Sequence, residues 1–384
     1  MIDRSDKSEM AEHNTIENSL PQEVQMELLK QFLETGNNGK PFSPRMQQDY
    51  GRAIKQFMAF GFKVPQTKQD LIVSSYSKIP AGVENINGRL VYKVDPLDYE
   101  CTPFEKKYID MFGIKSRLDA HWKSGQPYLI EGEQGTGKTQ VVREWCFENK
   151  IPLVTLLCNE GTKLSDIIGH PELDGDYTPY QLGALPRAID VANQTGKCVL
   201  YIDELGLLTA PIQGSLNEAL DNRRSVTIAR LGLTYEVAKD AKLLIVASTN
   251  PVTYGGRNPL NADLNARFHV KVMPQLSADK YMQIVNTEGL DKEVVQALES
   301  TTMQLISAGK SNEVEYKFSP RDLDNVINQY KVDMQIYKEN GDINSTSFNI
   351  MCQTILAKYR AEPESNINTV KNILRSCCNW SSIK

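Results

Sequence analysis

The sequence predicts an α/β fold, a parallel sheet with flanking helices, preceded by a small helical module and followed by a purely helical region. Three observations predict it. Short apolar runs at residues 128–130, 151–159, 198–202 and 242–248 alternate with stretches of helical periodicity, the pattern of buried parallel strands. A glycine-rich turn joins the first run to a helix. From about Met273 onward apolar residues recur only at helical spacing.

In chain order, residues 1–20 are polar, acidic and poor in aromatics, which predicts a disordered arm. Val24, Leu28, Leu29 and Phe32 repeat at helical spacing, as do Tyr50, Ile54, Phe57 and Met58 behind Ser43-Pro44, an N-cap and first-turn proline. These predict a helical module over 21–84 that ends in a linker with scattered Pro and Gly. A short strand follows at 89–94. Residues 104–118 read as a helix and turn, in which Ile109 and Phe112 either wall a base pocket or pack in the core.

The run at 128–130 leads into Gly132-Glu133-Gln134-Gly135-Thr136-Gly137-Lys138-Thr139, which fits G-x-x-x-x-G-K-[ST] at every fixed position. Glycine lets the backbone turn successive N–H groups inward as an anion nest. Lys138 places a compact charge on terminal phosphates, and the Thr139 hydroxyl is a ligand for Mg²⁺. Gln140 continues the helix behind the turn, whose N-terminus favours negative charge. Strand, loop and helix stand in the order a nucleoside triphosphate site needs.

After the run at 151–159 comes a long irregular piece rich in Gly, Pro and Asp, and such pieces on rigid scaffolds carry function. A helix at 185–194 leads to the run at 198–202, which ends in Asp203-Glu204. Two acids at the carboxyl end of an apolar strand suit Mg²⁺-dependent phosphoryl chemistry: the first supports the metal, the second polarises a water. A helix at 211–222, a hairpin with arms at 225–229 and 233–237, and the run at 242–248 follow. That run ends in Thr249-Asn250-Pro251, where Asn250 stands within reach of a γ-phosphate. Arg267 falls at a helix end or turn. Helices are predicted at 281–284, 294–306, 323–336 and 348–359. Ser319-Pro320-Arg321-Asp322 opens one of them with an N-cap, a first-turn proline and an acid, fixing Arg321 at a helix start.

Composition narrows the partners. With 384 residues and 40% apolar content, two or three folded domains are expected. The balance of 43 basic against 48 acidic residues gives −5, with no Lys or Arg run to mark a nucleic-acid or anionic-membrane surface. The opening MIDRSDKSEM is charged, and no apolar run approaches the ~20 residues of a spanning helix, so a cytoplasmic chain without membrane contact is expected. Seven cysteines, without a C-x-x-C pair, suggest neither zinc nor redox chemistry; Cys146, Cys158 and Cys198 read as small buried hydrophobes. Thr67-Lys68-Gln69-Asp70 matches a guanine-reading pattern but precedes the phosphate loop, whereas such motifs follow it, so ATP is the expected nucleotide.

With these residues in hand, the chain resembles an AAA+ ATPase, and more narrowly the MoxR-type branch that includes the CbbQ and NorQ activases. The resemblance covers roughly residues 104–323. It is carried by the phosphate loop, Asp203-Glu204, the stretch at 164–169, Leu182-Gly183-Ala184-Leu185, the hairpin after Arg224, the STNP at 248–251, LNADLNARF at 260–268 and FSPRD at 318–322. It implies a P-loop NTPase domain over 85–275 and an α-helical lid over 276–384. It further implies that residues 132–140 bind ATP, that Thr139 and Asp203 hold Mg²⁺, and that Glu204 activates water. Asn250 would be the first sensor, Arg321 the second sensor on the lid, and Arg267 a finger acting on a neighbouring subunit's ATP. The partners implied are further copies of the chain, in a hexameric ring, and a client protein of von Willebrand A type. A motor or loader acting on DNA or RNA is the alternative, disfavoured by the acidic balance. His170, Tyr177 and Tyr180 depart from an aromatic pore motif, which leaves threading in doubt.

Overall fold

The structure, a computed structural model, describes residues 81–102, 104, 107–174, 177–221, 223–251, 258–340 and 347–378. The expected arm at 1–20, residues 21–80 of the helical module and linker expected over 21–84, and the stretch at 67–70 lie outside them.

In chain order the elements are β1 (Val83–Ile86), β2 (Arg89–Tyr92), α1 (Ile114–Ser124), β3 (Tyr128–Gly132), α2 (Lys138–Glu148), β4 (Leu153–Leu157), α3 (Leu164–Ile168), β5 (Gly169–Pro171) and β6 (Tyr180–Leu182). Then come α4 (Ala184–Thr195), β7 (Lys197–Asp203), α5 (Ala210–Ser215), α6 (Asn217–Leu220), β8 (Ser225–Ile228), β9 (Leu233–Glu236), β10 (Lys242–Thr249), α7 (Ala262–Asn265) and β11 (His269–Met273). The last five are α8 (Ala278–Ile284), α9 (Lys292–Lys310), α10 (Pro320–Asn340), α11 (Ser347–Lys358) and α12 (Glu364–Cys378). They divide into two compact units, one holding 81–94 and 169–182, the other 95–168 and 183–378.

The smaller unit is a four-stranded sheet in the order β1-β2-β6-β5. β1 and β2 form a hairpin through Asn87-Gly88, whose φ values of 51° and 80° are those of the tight turn that matches strand twist. β5 and β6 form a second antiparallel hairpin, joined to the first by a parallel pairing of Val91 with Tyr180. The Tyr92 hydroxyl donates to the Asp174 carboxylate at 2.9 Å. Residues read from sequence as linker and as irregular loop are thus strands. Their three- and four-residue lengths are too short for a periodic signal, and their pairing is non-local.

The larger unit is built on a five-stranded parallel sheet in the order β11-β3-β10-β7-β4. One face of it buries Tyr128, Ile130, Val199, Tyr201, Leu244 and Val246 against α1 and α2. Each such apolar side chain contributes about 1.5–3 kcal/mol by leaving water. α4 covers the other face, packing on β4, β7 and β10. Cys146, Cys158 and Cys198 are buried as expected, and burial pushes the Cys158 thiol up to about 12. The excursion into β5 and β6 leaves and re-enters at one point, since a Cβ on Gly183 would stand 2.4 Å from the Ile167 carbonyl carbon.

Beyond β11 the chain is helical. α8 to α12 share a core that includes Tyr281, Leu298, Phe318, Leu323, Met351 and Tyr359. Some details differ from the sequence reading. The regular helix within 104–118 starts only at Ile114, where Gly113 at φ 65° ends the preceding turn and Asp110 accepts from the N–H groups of Ile114 and Lys115. The helix expected over 211–222 is two short ones, α5 and α6. β11 is an additional edge strand, its Val270 and Val272 about half exposed. Among the described residues no helix is long and apolar enough to cross a membrane.

Candidate nucleotide site

The carboxyl ends of β3, β7 and β10 meet at one rim. Parallel register pairs Thr249 with Glu131 and Ala247 with Ile202, so Gly132, Asp203-Glu204 and Ser248–Asn250 emerge side by side. Ligands of open α/β sheets bind at this edge.

From β3 the chain turns through Gly135 and Gly137, at φ 77° and 85°, and enters α2 at Lys138. Only glycine fits at 137: a Cβ there would lie 2.6 Å from the Tyr108 ring. α2 has no side-chain cap, so its first N–H groups are presented by the turn itself. The Thr136 hydroxyl donates to the Glu133 carbonyl at 2.8 Å and braces the turn. Lys138 is only 7% exposed; its ammonium donates to the carbonyls of Gly132 and Glu133 at 2.8 and 3.1 Å and to Asn250 Oδ1 at 2.6 Å.

Hydrogen bonds continue from Asn250 round the rim and close on the loop. Asn250 Nδ2 donates to Glu204 Oε1 at 2.9 Å. The Glu204 N–H donates to Ser248 Oγ at 3.2 Å, and the Ser248 hydroxyl donates to Asp203 Oδ1. Thr139 Oγ1 donates to Asp203 Oδ2 at 2.9 Å. Glu204 sits at φ 60°, a left-handed conformation that costs a side-chain-bearing residue about 1–3 kcal/mol and that turns its carboxylate toward Asn250 rather than along the strand.

Gln134, Gly135, Gly137, Lys138, Thr139, Gln140, Asp203 and Glu204 line a cavity of about 600 Å³, within the ordinary range for a small-molecule site. Phe104 and Arg143 stand at one side of it, the guanidinium 4.7 Å from the ring centroid. Pro320, Arg321 and Asp324 at the start of α10 stand at the other.

An apolar cavity adjoins the turn, lined by Tyr108, Ile109, Met111, Phe112, Leu276 and Ile284 together with Gly135–Gly137. Ile109 and Phe112 thus line a cavity beside the turn, and Phe112 also packs on both apolar cores. Their loop is pinned by Glu144, 6% exposed on α2, which accepts from the Tyr108 N–H at 2.6 Å and from Lys115 Nζ at 2.8 Å.

The lid meets the turn directly. A Cβ on Gly135 would lie 3.1 Å from Ser319 and 3.3 Å from the Arg321 nitrogen, and Lys317 Nζ stands 3.8 Å from Glu133 Oε1. Asp322 fixes this corner, accepting from the Ser319 N–H and hydroxyl at 2.9 and 2.6 Å and from the Tyr316 hydroxyl at 2.7 Å.

Residues 127–268 match the model of the AAA domain (dynein-related subfamily). This stretch is an AAA+ ATPase domain of the MoxR-type branch. The denitrification regulatory protein NirQ of Stutzerimonas stutzeri is 30% identical over 150 residues, covering 39% of this chain and 52% of NirQ. NorQ of Paracoccus denitrificans is 29% identical over 44% of this chain and 60% of its own length. CbbQ of Hydrogenophilus thermoluteolus is 26% identical over 40% and 54%. The chain thus spans little more than half the length of these curated relatives.

Of the residues singled out from sequence, the AAA+ domain and its lid bring all but one into or beside the two cavities. Gly132 and Glu133 contribute carbonyls to Lys138. Arg267 is the exception: it lies on neither cavity and its Nε donates to Asn217 Oδ1 at 3.2 Å. Sequence reasoning gave no site role to Tyr108, Glu144, Tyr201, Ser248 or Asp322. Ser319-x-x-Asp322 carries a capping-box signal that points to Asp322; the others lie in apolar or helical runs that read as core.

Proposed function

We propose that this chain is an ATPase whose AAA+ domain binds ATP with Mg²⁺ at the rim of β3, β7 and β10 and hydrolyses it. The closed circuit of hydrogen bonds joining Lys138, Asn250, Glu204, Ser248, Asp203 and Thr139 carries this reading. A hydroxyl and a carboxylate 2.9 Å apart suit a hard cation that keeps most of its sites for phosphate and water. Among the described residues no cluster of three His, Cys, Asp or Glu offers a fuller cage. When bound, Mg²⁺ supplies positive charge against the phosphoryl oxygens as charge builds there.

The chain's own groups have divided roles in this reading. The N–H groups of residues 134–139 and the Lys138 ammonium grip the phosphates. Thr139 and Asp203 hold the cation, and Glu204 polarises the attacking water. Asn250 releases Lys138 and Glu204 as the γ-phosphate takes its place between them, and Arg321 adds charge from the lid. Ile109 and Phe112 wall the base. Arg267, outside its own cleft, serves the cleft of a neighbouring copy in a homo-oligomeric ring, expected to be a hexamer. The work done is remodelling or activation of a partner protein, in keeping with the name of NirQ as a regulatory protein and with the family expectation of a von Willebrand A-type client.

Turnover per subunit measured against protein concentration tests the shared site, with Glu204→Gln as control. We expect the specific rate to rise with concentration and Arg267→Ala to abolish that rise. Glu204→Gln should keep ATP binding and lower turnover by about 10²–10⁴, the usual contribution of a positioned base. A specific rate indifferent both to dilution and to Arg267 would overturn the shared-site reading. Stimulation by DNA that fades with salt would redirect it to a nucleic-acid substrate.

A further inference from the structure

Tyr201 stands two residues before Asp203 on β7, so both side chains project to the same face of the sheet. Its ring is fully buried in the apolar cluster with Tyr128, Val141 and Val246. Its hydroxyl nevertheless ends at the polar rim, 3.0 Å from Asp203 Oδ1 and 3.3 Å from Thr139 Oγ1. Phenylalanine would fill the same core, so packing does not account for the oxygen.

The hydrogen bonds at Asp203 divide its carboxylate in two. Oδ1 accepts from the hydroxyls of Tyr201 and Ser248, while Oδ2 accepts from Thr139. Rotation of the carboxylate would break both bonds behind it, so Oδ2 and the Thr139 hydroxyl are held as a facing pair. The phenol oxygen, 3.3 Å from Thr139 Oγ1, also keeps that hydroxyl beside Asp203 Oδ2.

We infer that Tyr201 is a positioning residue for the divalent-cation site, its phenol holding Asp203 and Thr139 in the arrangement that receives the metal. This rests on the nucleotide reading above. The test uses the full chain with Tyr201→Phe and, independently, Ser248→Ala, each checked for an unchanged thermal midpoint. Affinity for a fluorescent ATP analogue is titrated in EDTA and across a Mg²⁺ series.

For Tyr201→Phe we expect affinity in EDTA within about twofold of the wild type, and about tenfold more Mg²⁺ for half of the metal-dependent gain, the effect of losing one bond to a charged group. Ser248→Ala should shift the curve the same way. A wild type whose affinity ignores Mg²⁺ would sink the nucleotide–metal reading itself. A metal-dependent wild type matched by Tyr201→Phe at every Mg²⁺ concentration would sink only the role of the phenol. Equal weakening with and without Mg²⁺ would also sink it, because the hydroxyl would then act on the loop as a whole.

Discussion

The two ends of the cleft are made of different material. At the phosphate end Lys138, Thr139, Asp203, Glu204, Ser248 and Asn250 sit at strand ends or in the first turn of α2, buried or partly buried, and are tied together by hydrogen bonds, several of them 2.6–3.2 Å long. At the base end the walls are apolar side chains from the 107–112 loop and from Leu276 and Ile284 near and on α8, with no hydrogen bond between them. One end is placed by the sheet, the other by a loop and the lid. The difference teaches where specificity of effect should lie: changes at the phosphate end should alter chemistry and metal use, and changes at the base end should alter affinity alone.

Lys138→Ala breaks the comparison hardest. It removes the one buried ammonium that reaches both loop carbonyls and Asn250, and with it charge-assisted bonds worth about 1.5–3 kcal/mol each. Binding of a fluorescent ATP analogue should fall about 100-fold or more, and turnover should vanish with it. Ile109→Ala sharpens the contrast from the other side. Loss of part of one apolar wall, at about 25 cal/mol per Å², should weaken binding roughly three- to tenfold and leave turnover at saturating ATP unchanged. A fall in saturated turnover equal to the fall in affinity would erase the distinction between the two ends.

The smallest expected effect lies outside the cleft. His121 stacks on Tyr128 at 4.4 Å, meets His269 edge-on at 5.2 Å and donates from Nδ1 to the Gln126 carbonyl at 3.0 Å, with Arg117 nearby. Burial, with charge repulsion from His269 and Arg117, holds its pKa below the usual histidine value. The unfolded chain therefore binds this proton more readily than the folded one, so the stability His121 confers is present above pH about 6.5 and is lost as pH falls below it. The thermal midpoint of the wild type should drop between pH 7.5 and 5.5 by more than that of His121→Gln.

The legibility of this chain in its sequence follows the same division. β3, β7 and β10 are buried on both faces and so announce themselves as continuous apolar runs, and β4, half-exposed on one face, does so because its residues are nearly all apolar. β11 does not: its sequence HVKVM alternates, and the valines face outward at a sheet edge. The small sheet was illegible for another reason, since Val91 finds Tyr180 across almost ninety residues of chain and no local pattern records that pairing. At the site, Gly132–Thr139 and Asp203-Glu204 were visible because phosphate and metal demand those residue types at that spacing. Tyr201 was not, because its ring satisfies the strand pattern and only its oxygen departs from it. Arg267 could be picked out by its surroundings, yet its place beside Asn217 acquires a catalytic meaning only with a second copy of the chain.

The contact of Ser319 and Arg321 with Gly135 has a mechanical consequence. A glycine turn with the first residues of a 21-residue helix pressed against it cannot change shape without tilting that helix, and α10 is long enough to carry a small tilt to its far end as a displacement of several ångströms. The turn proposed to cradle a phosphate would in this way be the short arm of a lever whose long arm runs out through the lid.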